Sequence, residues 1–590
     1  MKRIAVVFFT SVGAVVVLAV LLAVIAGGIH SVMKTHVPAQ TILELNLEGG
    51  IYEYSPDDPI AEITGEKPMT LLSVVSAIDA AATDERVRGL MIDLSRYAVG
   101  IAQTQEIRDA VIRFKSRGKL TAAFADTFGE VAPGNGAYYL ASACDTIYLQ
   151  PSGDVGLTGL MFESMFIRNA LDKLGVKPRM DHRYEFKNAM NMFTETHYTE
   201  AHRLAMQELM DSLFNQMISG IAESRKLTVD TVKDLFDRGP FLGVEARDAG
   251  LVDDMLYRDQ AYETLKKAAG DSAEYLFLNK YLSRIDAPYS KGESIAIVYG
   301  VGGVARGENS FDPLRKSFTM GGDQVARAIR DAVEDDQVKA IVFRVDSPGG
   351  SYVGSDTVWR ETVRAREKGK PIIVSMGNVA GSGGYFVAMA ADKIVADPGA
   401  IVGSIGVLGG KMVTSDLWSK LGIDWDEIHT SRSSTMYNGT QDYTEEQWKR
   451  FQAWLDRVYE DFTGKVAEGR KMPIERVKEI ARGRIYSGIH GKEIGLVDEL
   501  GGVVTAIELA KTSAGIHAED SVKLVEFPRR KPLYERLLDK GKENSDSVRA
   551  IASAADQLRP IAENVEPLIG MISRTPDDSL LEMESITLRY

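Results

Sequence analysis

At 590 residues the chain exceeds one ordinary domain, and with 45% hydrophobic and 26% charged residues it can fill sizeable cores. Its net charge of −14 argues against an electrostatic grip on nucleic acid, so no nucleic-acid partner is expected. The single cysteine, Cys144, excludes an intramolecular disulfide framework and a thiolate metal cluster, and suits a small buried apolar role.

In chain order, the first signal is an apolar stretch: after Lys2 and Arg3 no charged residue appears until Lys34. About twenty such residues cross the hydrocarbon layer as a helix, whereas signal-peptide cores run to roughly 7–15. Residues 1–33 therefore read as an uncleaved transmembrane anchor, although small Ala23, Ala26 and Gly27 leave cleavage open. The two leading positive charges put the N-terminus in the cytoplasm and the remaining chain on the other side of the membrane.

The rest of the chain is read as one domain written twice, over 40–265 and 293–515. Residues 134–160 align with 381–407 without a gap, matching Tyr138 to Tyr385 and Pro151 to Pro398. The order continues through DKLG (172–175) with SKLG (419–422), ESRKL (223–227) with EGRKM (468–472), and GLVDD (250–254) with GLVDE (495–499). Within the second copy, 338–345 and 370–376 are short β-branched runs of the buried parallel-strand kind. Between them 355–370 has helical spacing, and 445–471 is a long amphipathic helix with Trp448, Phe451, Leu455, Val458 and Phe462 on one face. Alternation of this sort predicts an α/β architecture of parallel strands covered by helices. Residues 266–292 read as a connector and 516–590 as a charged tail.

The two copies differ where chemistry needs special residues. Ser382 stands between glycines after an apolar strand and before an Ala-rich helix, an arrangement that exposes a hydroxyl nucleophile; the first copy has Asn135 there. DSPGGS, Asp346 to Ser351, follows another apolar strand, and its glycine pair can aim backbone N–H groups into a cleft as an oxyanion hole requires; the first copy has SRYAVG. Taken alone, the serine reads as a turn residue and the glycine pair as a tight turn. Their absence from the same copy favours function. For a base, His182 and His429 occupy equivalent places, which suggests a structural role for both. Lys187, in YEFKNAMNMF, faces Ser434 in the second copy, and a lysine acts as base once burial lowers its ordinary pKa of ~10.4. Nucleophile and candidate base thus lie in opposite copies.

The GSGGY around Ser382, SPGG at 347–350, GSIGV at 403–407 and EFKNAM around Lys187 resemble the signal peptide peptidase A family in its long, duplicated form. This serine–lysine peptidase family also includes the sohB-type enzymes. The likeness spans about 40–515 together with the N-terminal anchor. It implies Ser382 as nucleophile, Lys187 as general base, a backbone N–H of Gly349 or Gly350 in the oxyanion hole, and Ser404 as a lysine-orienting residue. It further implies a ClpP/crotonase-like fold and a homo-oligomer, a tetramer, at the inner (cytoplasmic) membrane. The anchor would be single-pass, the catalytic part periplasmic, and the substrates remnant signal peptides and other apolar peptides. No cofactor and no metal are expected; HExxH and other close ligand pairs are absent from the sequence. Two other readings compete: a crotonase-like acyl-CoA enzyme, which export would disfavour, and a non-catalytic membrane scaffold.

Overall fold

A computed structural model describes residues 36–55, 69–312, 315, 317–529, 581–583 and 588–589. Residues 1–33, read as the anchor, lie outside the described residues; among those described, no helix is long and apolar enough to cross a membrane.

Each copy builds one mostly parallel sheet. In the first, β1 (Thr41–Asn46), α1 (Leu71–Thr83), β2 (Val87–Asp93), α2 (Ile101–Ser116), β3 (Leu120–Ala125), α3 (Asn135–Ala141) and β4 (Thr146–Leu149) alternate in sequence. Helices on the faces seal strand residues such as Leu90, Met91 and Ile92 from water, which is why the middles of these strands are apolar on both faces. Beyond them come β5 (Met161–Phe162), β6 (Lys177–His182), α4 (Glu200–Arg225), β7 (Asp254–Met255) and β8 (Glu274–Phe277). The sheet runs β8-β1-β2-β3-β4-β7, so β8, inside the stretch read as a connector, is a strand of the first copy.

The second copy opens with β9 (Glu293–Val301), β10 (Gly303–Ala305), β11 (Ser310–Asp312), β12 (Ser317–Gly321), α5 (Gly322–Glu334) and β13 (Val338–Ser347). It continues through β14 (Gly349–Gly350), α6 (Tyr352–Glu367), β15 (Ile372–Gly381), α7 (Gly383–Ala388), β16 (Lys393–Ala396), β17 (Ile401–Gly403) and β18 (Leu408–Val413). α8 (Glu445–Arg470), β19 (Ile485–Ser487), β20 (Glu499–Leu500), α9 (Val503–Ser513) and β21 (Val522–Phe527) complete it. The main sheet runs β19-β17-β15-β13-β9-β21, which brings β21 into the second copy from the stretch read as a tail. One strand runs longer and one helix starts earlier than the sequence pattern suggests. β15 continues to Gly381, immediately before Ser382, and α6 begins at Tyr352 because Ser351 Oγ caps Gly354 N at 3.2 Å.

The duplication reappears in matched hydrogen bonds. α4 and α8 are both 26 residues long, start on a capping threonine (Thr199, Thr444) and end on a left-handed lysine (Lys226, φ 56°; Lys471, φ 54°). Tyr138 Oη donates to Leu251 O at 2.7 Å, and Tyr385 Oη to Leu496 O at 2.9 Å. On α8, Phe451, Leu455, Val458 and Phe462 are buried as their spacing suggests, with Trp448 half-buried beside them.

The copies are joined by a strand pair and a buried ion network. β18 of the second copy pairs antiparallel with β6 of the first, Leu408 opposite His182 and Val413 opposite Lys177. Arg344 on β13 reaches Glu53 (Nε–Oε2, 2.8 Å) and Glu106 (2.7 Å) of the first copy, and all three side chains are buried. Glu106 in turn accepts from Val503 N at 2.7 Å. Asn378 on β15 accepts from Ala102 N at 3.1 Å, so the start of α2 is pinned to the strand that leads into Ser382.

Candidate active site

Ser382 occupies the one-residue turn between β15 and α7, with φ 53° and ψ −115°. A non-glycine residue held at such angles stores on the order of 1–3 kcal/mol and is found where a serine must be presented on a sharp strand-to-helix turn. The turn is held by Ser382 N donating to Gly403 O at 2.8 Å and Phe386 N to Ser382 O at 2.9 Å. Its glycines are needed for close approach. A Cβ at Gly383 would lie 3.0 Å from Gly350 N, and one at Gly384 would lie 2.4 Å from Ser347 O. The turn therefore rests directly on β14.

Lys187 follows β6 and caps a short 3-10 turn, Asn188–Met190. Its side chain is 1% exposed. Nζ lies 2.6 Å from Ser382 Oγ, 3.0 Å from Ser404 Oγ and 3.1 Å from Ser404 O, so these three bonds all go to neutral oxygens. Ser404 follows β17 with φ 51°, and its N–H donates to Arg484 O at 2.7 Å. Two glycines make room for the lysine stem: a Cβ at Gly406 would meet Lys187 Cδ at 3.2 Å, and one at Gly483 (φ 83°) would meet Lys187 Cβ at 2.5 Å.

The glycine pair forms β14 beside this turn, with φ 102° at Gly349 and 147° at Gly350. A Cβ at Gly350 would fall 2.3 Å from Val304 O, so only glycine lets β14 lie against β10. Gly349 N already donates to Ser347 Oγ at 3.2 Å. Asp346, just ahead, accepts from Val379 N at 3.0 Å and ties the ends of β13 and β15 together. Burial, aided by the Glu53 charge and opposed by Arg344, pushes its carboxyl up to about 7.

All five residues singled out by sequence meet at this place: Ser382 and Ser404 each bonded to Lys187, and Gly349 and Gly350 against the Ser382 turn. In the first copy, Asn135 stands where Ser382 does. Its side chain instead accepts from Thr158 N (2.9 Å) and donates to Gly159 O (2.8 Å), tying down a loop. His182 Nδ1 faces Tyr184 O, and His429 lies near Glu427 on the surface. Gly483 and the Arg344 network escaped sequence reading, and Asp346 and Gly406 lay inside the quoted DSPGGS and GSIGV motifs without a role assigned to them. For Arg344 a signal exists, a charge inside an otherwise apolar strand; for Gly483 none does.

Peptidase family S49 matches residues 121–271 and 364–517, one segment in each copy. Protease 4 of Salmonella typhi is 31% identical over 458 residues, covering 75% of this chain and 72% of that protein. Protease 4 of Haemophilus influenzae is 29% identical over 529 residues, 85% of this chain and 83% of that one. Serine protease SPPA, chloroplastic, of Arabidopsis thaliana is 28% identical over 462 residues, 76% of this chain and 66% of that protein's length. The chain belongs to peptidase family S49, as a long, duplicated serine peptidase of the SppA type.

Proposed function

We propose that the protein is an endopeptidase acting on apolar peptides, remnant signal peptides among them, through a dyad of Ser382 and Lys187. The observation that carries this is the buried 2.6 Å contact between Lys187 Nζ and Ser382 Oγ. Removal from water penalises an ammonium relative to the neutral amine, and a neutral amine is what a base beside Ser382 requires. Lys187 takes the Ser382 hydroxyl proton as Oγ bonds to the peptide carbonyl carbon. The resulting oxyanion is received by a backbone N–H of the Gly349–Gly350 pair. Lys187 then protonates the leaving amine as the C–N bond breaks, leaving an acyl-serine. A water deprotonated by the same lysine attacks that ester, releases the acid and restores Ser382. Ser404 orients the amine through its hydroxyl and carbonyl.

In this proposal the copies are ClpP/crotonase-like units over 40–265 and 293–515, and residues 1–33 anchor the chain in the inner membrane with the catalytic part on the periplasmic side. A homo-oligomer, a tetramer, is the proposed assembly. The test is hydrolysis of a leucine-rich fluorogenic peptide by protein lacking residues 1–33, compared with Ser382→Ala and Lys187→Met. Each variant is expected to lose on the order of 10³-fold or more in kcat while staying folded. Undiminished hydrolysis by Ser382→Ala would refute the mechanism.

A further inference from the structure

Asp397 follows β16 and is fully buried, yet neither of its side-chain oxygens meets a hydrogen-bond donor among the described residues. The group it faces is the carboxyl of Glu106, on α2 of the first copy. Both Glu106 oxygens are already engaged: Oε1 accepts from Arg344 Nη2 at 2.7 Å and Oε2 from Val503 N at 2.7 Å. Arg344 also serves Glu53, so its one positive charge is matched before Asp397 is counted. Asp109, one turn further along α2, and Asp346 on β13 add two more carboxyls to the same joint. An ionised carboxylate with neither a donor nor a cation of its own is too costly to bury. Two carboxyls that share such a site keep one proton between them. Burial and the Glu106 charge accordingly push the Asp397 carboxyl well above the ordinary carboxylate range, against the pull of Arg344.

Laid on the repeat, Asp397 corresponds to Gln150 and Glu106 to Thr357. Gln150 Nε2 donates to Ser152 Oγ, and Thr357 Oγ1 donates back to Val353 O on its own helix. The acid pair therefore belongs to the joint between the copies and not to the repeated fold. The turn it holds leads into the site. Ala400 N donates to Asp397 O at 3.0 Å, and Gly399 N to Oε1 of Gln105, the neighbour of Glu106, at 2.7 Å. β17 starts one residue later and ends on Gly403, whose carbonyl receives Ser382 N, followed by Ser404, which receives Lys187 Nζ. We infer that Asp397 is a protonated positioning residue: its O–H donates to Glu106 across the joint, and the shared proton fixes the 397–400 turn and with it Ser404 and the lysine amine. Its bearing on the rate rests on the dyad proposed above; the proton itself does not.

The test follows urea unfolding of the parent and of Asp397→Asn from pH 5 to pH 8. The folded parent keeps a proton that its unfolded chain releases above ~3.9, and the asparagine variant has none to keep. The folding constant of Asp397→Asn relative to the parent is therefore expected to rise about tenfold per pH unit, the weight of one proton. Infrared difference spectra at pH 8, parent minus Asp397→Asn, are expected to show the carbonyl band of a protonated carboxyl. In a kinetic arm, Asp397→Ala leaves Glu106 without this donor. It is expected to lose on the order of tenfold or more in kcat, with a shifted acid limb of the pH–rate profile. Asp397→Asn, whose amide N–H replaces the acid O–H, relieves both. A folding-constant ratio that does not change with pH, or a missing acid band, means an ionised Asp397 and overturns the inference. Equal kcat and equal pH profiles in Asp397→Ala and the parent overturn the positioning role. Unfolding and infrared spectra need no substrate, so a wrong dyad shows in the parent's own hydrolysis and a wrong proton in those two measurements.

Discussion

Arg344→Met is the sharpest probe of how the two copies hold the site together. Arg344 is 1% exposed and carries bonds to Glu53 (2.8 Å) and Glu106 (2.7 Å) from the first copy and to Ser375 Oγ (2.8 Å) from its own. Burial alone would lower the guanidinium pKa, but Glu106 and Glu53 beside it hold it well above the ordinary range. Methionine fills much of the volume but leaves two buried carboxylates without their cation. Removing one partner of such a network costs about 3–5 kcal/mol. Lys187 comes from the first copy and Ser382 from the second, so a loosened joint also reaches the reaction. A misplacement of about 1 Å costs on the order of 10²-fold in rate. Urea unfolding and kcat on the fluorogenic peptide should both show the loss at pH 7. The triple variant with Glu53→Gln and Glu106→Gln should recover most of the stability, because no buried charge is left unpaired. A loss in Arg344→Met below about 1 kcal/mol, or one that the glutamine pair does not relieve, would refute this account of the joint.

Ser404→Ala removes one of the two Ser404 bonds to Lys187 and leaves the carbonyl bond. A loss of about 1–1.5 kcal/mol predicts a roughly tenfold lower kcat at constant KM, with a shifted acid limb of the pH–rate profile. An unmoved pH profile would reduce Ser404 to a packing residue. Asp346 is pushed up to about 7, so below that pH the folded chain keeps a proton that the unfolded chain has lost above ~3.9. Stability from this group is therefore lost as pH rises from about 4 to about 7, and Asp346→Asn, which cannot ionise, should gain in Tm over the parent between pH 5 and pH 8. A pH-independent difference in Tm would contradict that. Gly350→Ala forces a Cβ to within 2.3 Å of Val304 O and should push β14 off β10. The expected result is a kcat loss on the order of 10²-fold, and full activity would remove β14 from the reaction.

The sequence by itself determined the duplication, the α/β class and the residues in which the two copies part. These are local properties: apolar runs mark strands, 3.6-residue spacing marks helices, and a serine between glycines or a lysine set against a serine in the other copy is visible along the chain. Only the tertiary structure decided what meets what. Lys187 and Ser382 stand 195 residues apart, and Arg344 and Glu53 291 apart. No periodicity encodes such pairs; they follow from β6 of one copy pairing with β18 of the other. The same reason hid β8 in the stretch read as a connector and β21 in the stretch read as a tail, since an edge strand is recognised by the sheet it joins. It hid the part played by Gly406 and Gly483 as well, whose missing side chains matter only because the Lys187 stem runs past them.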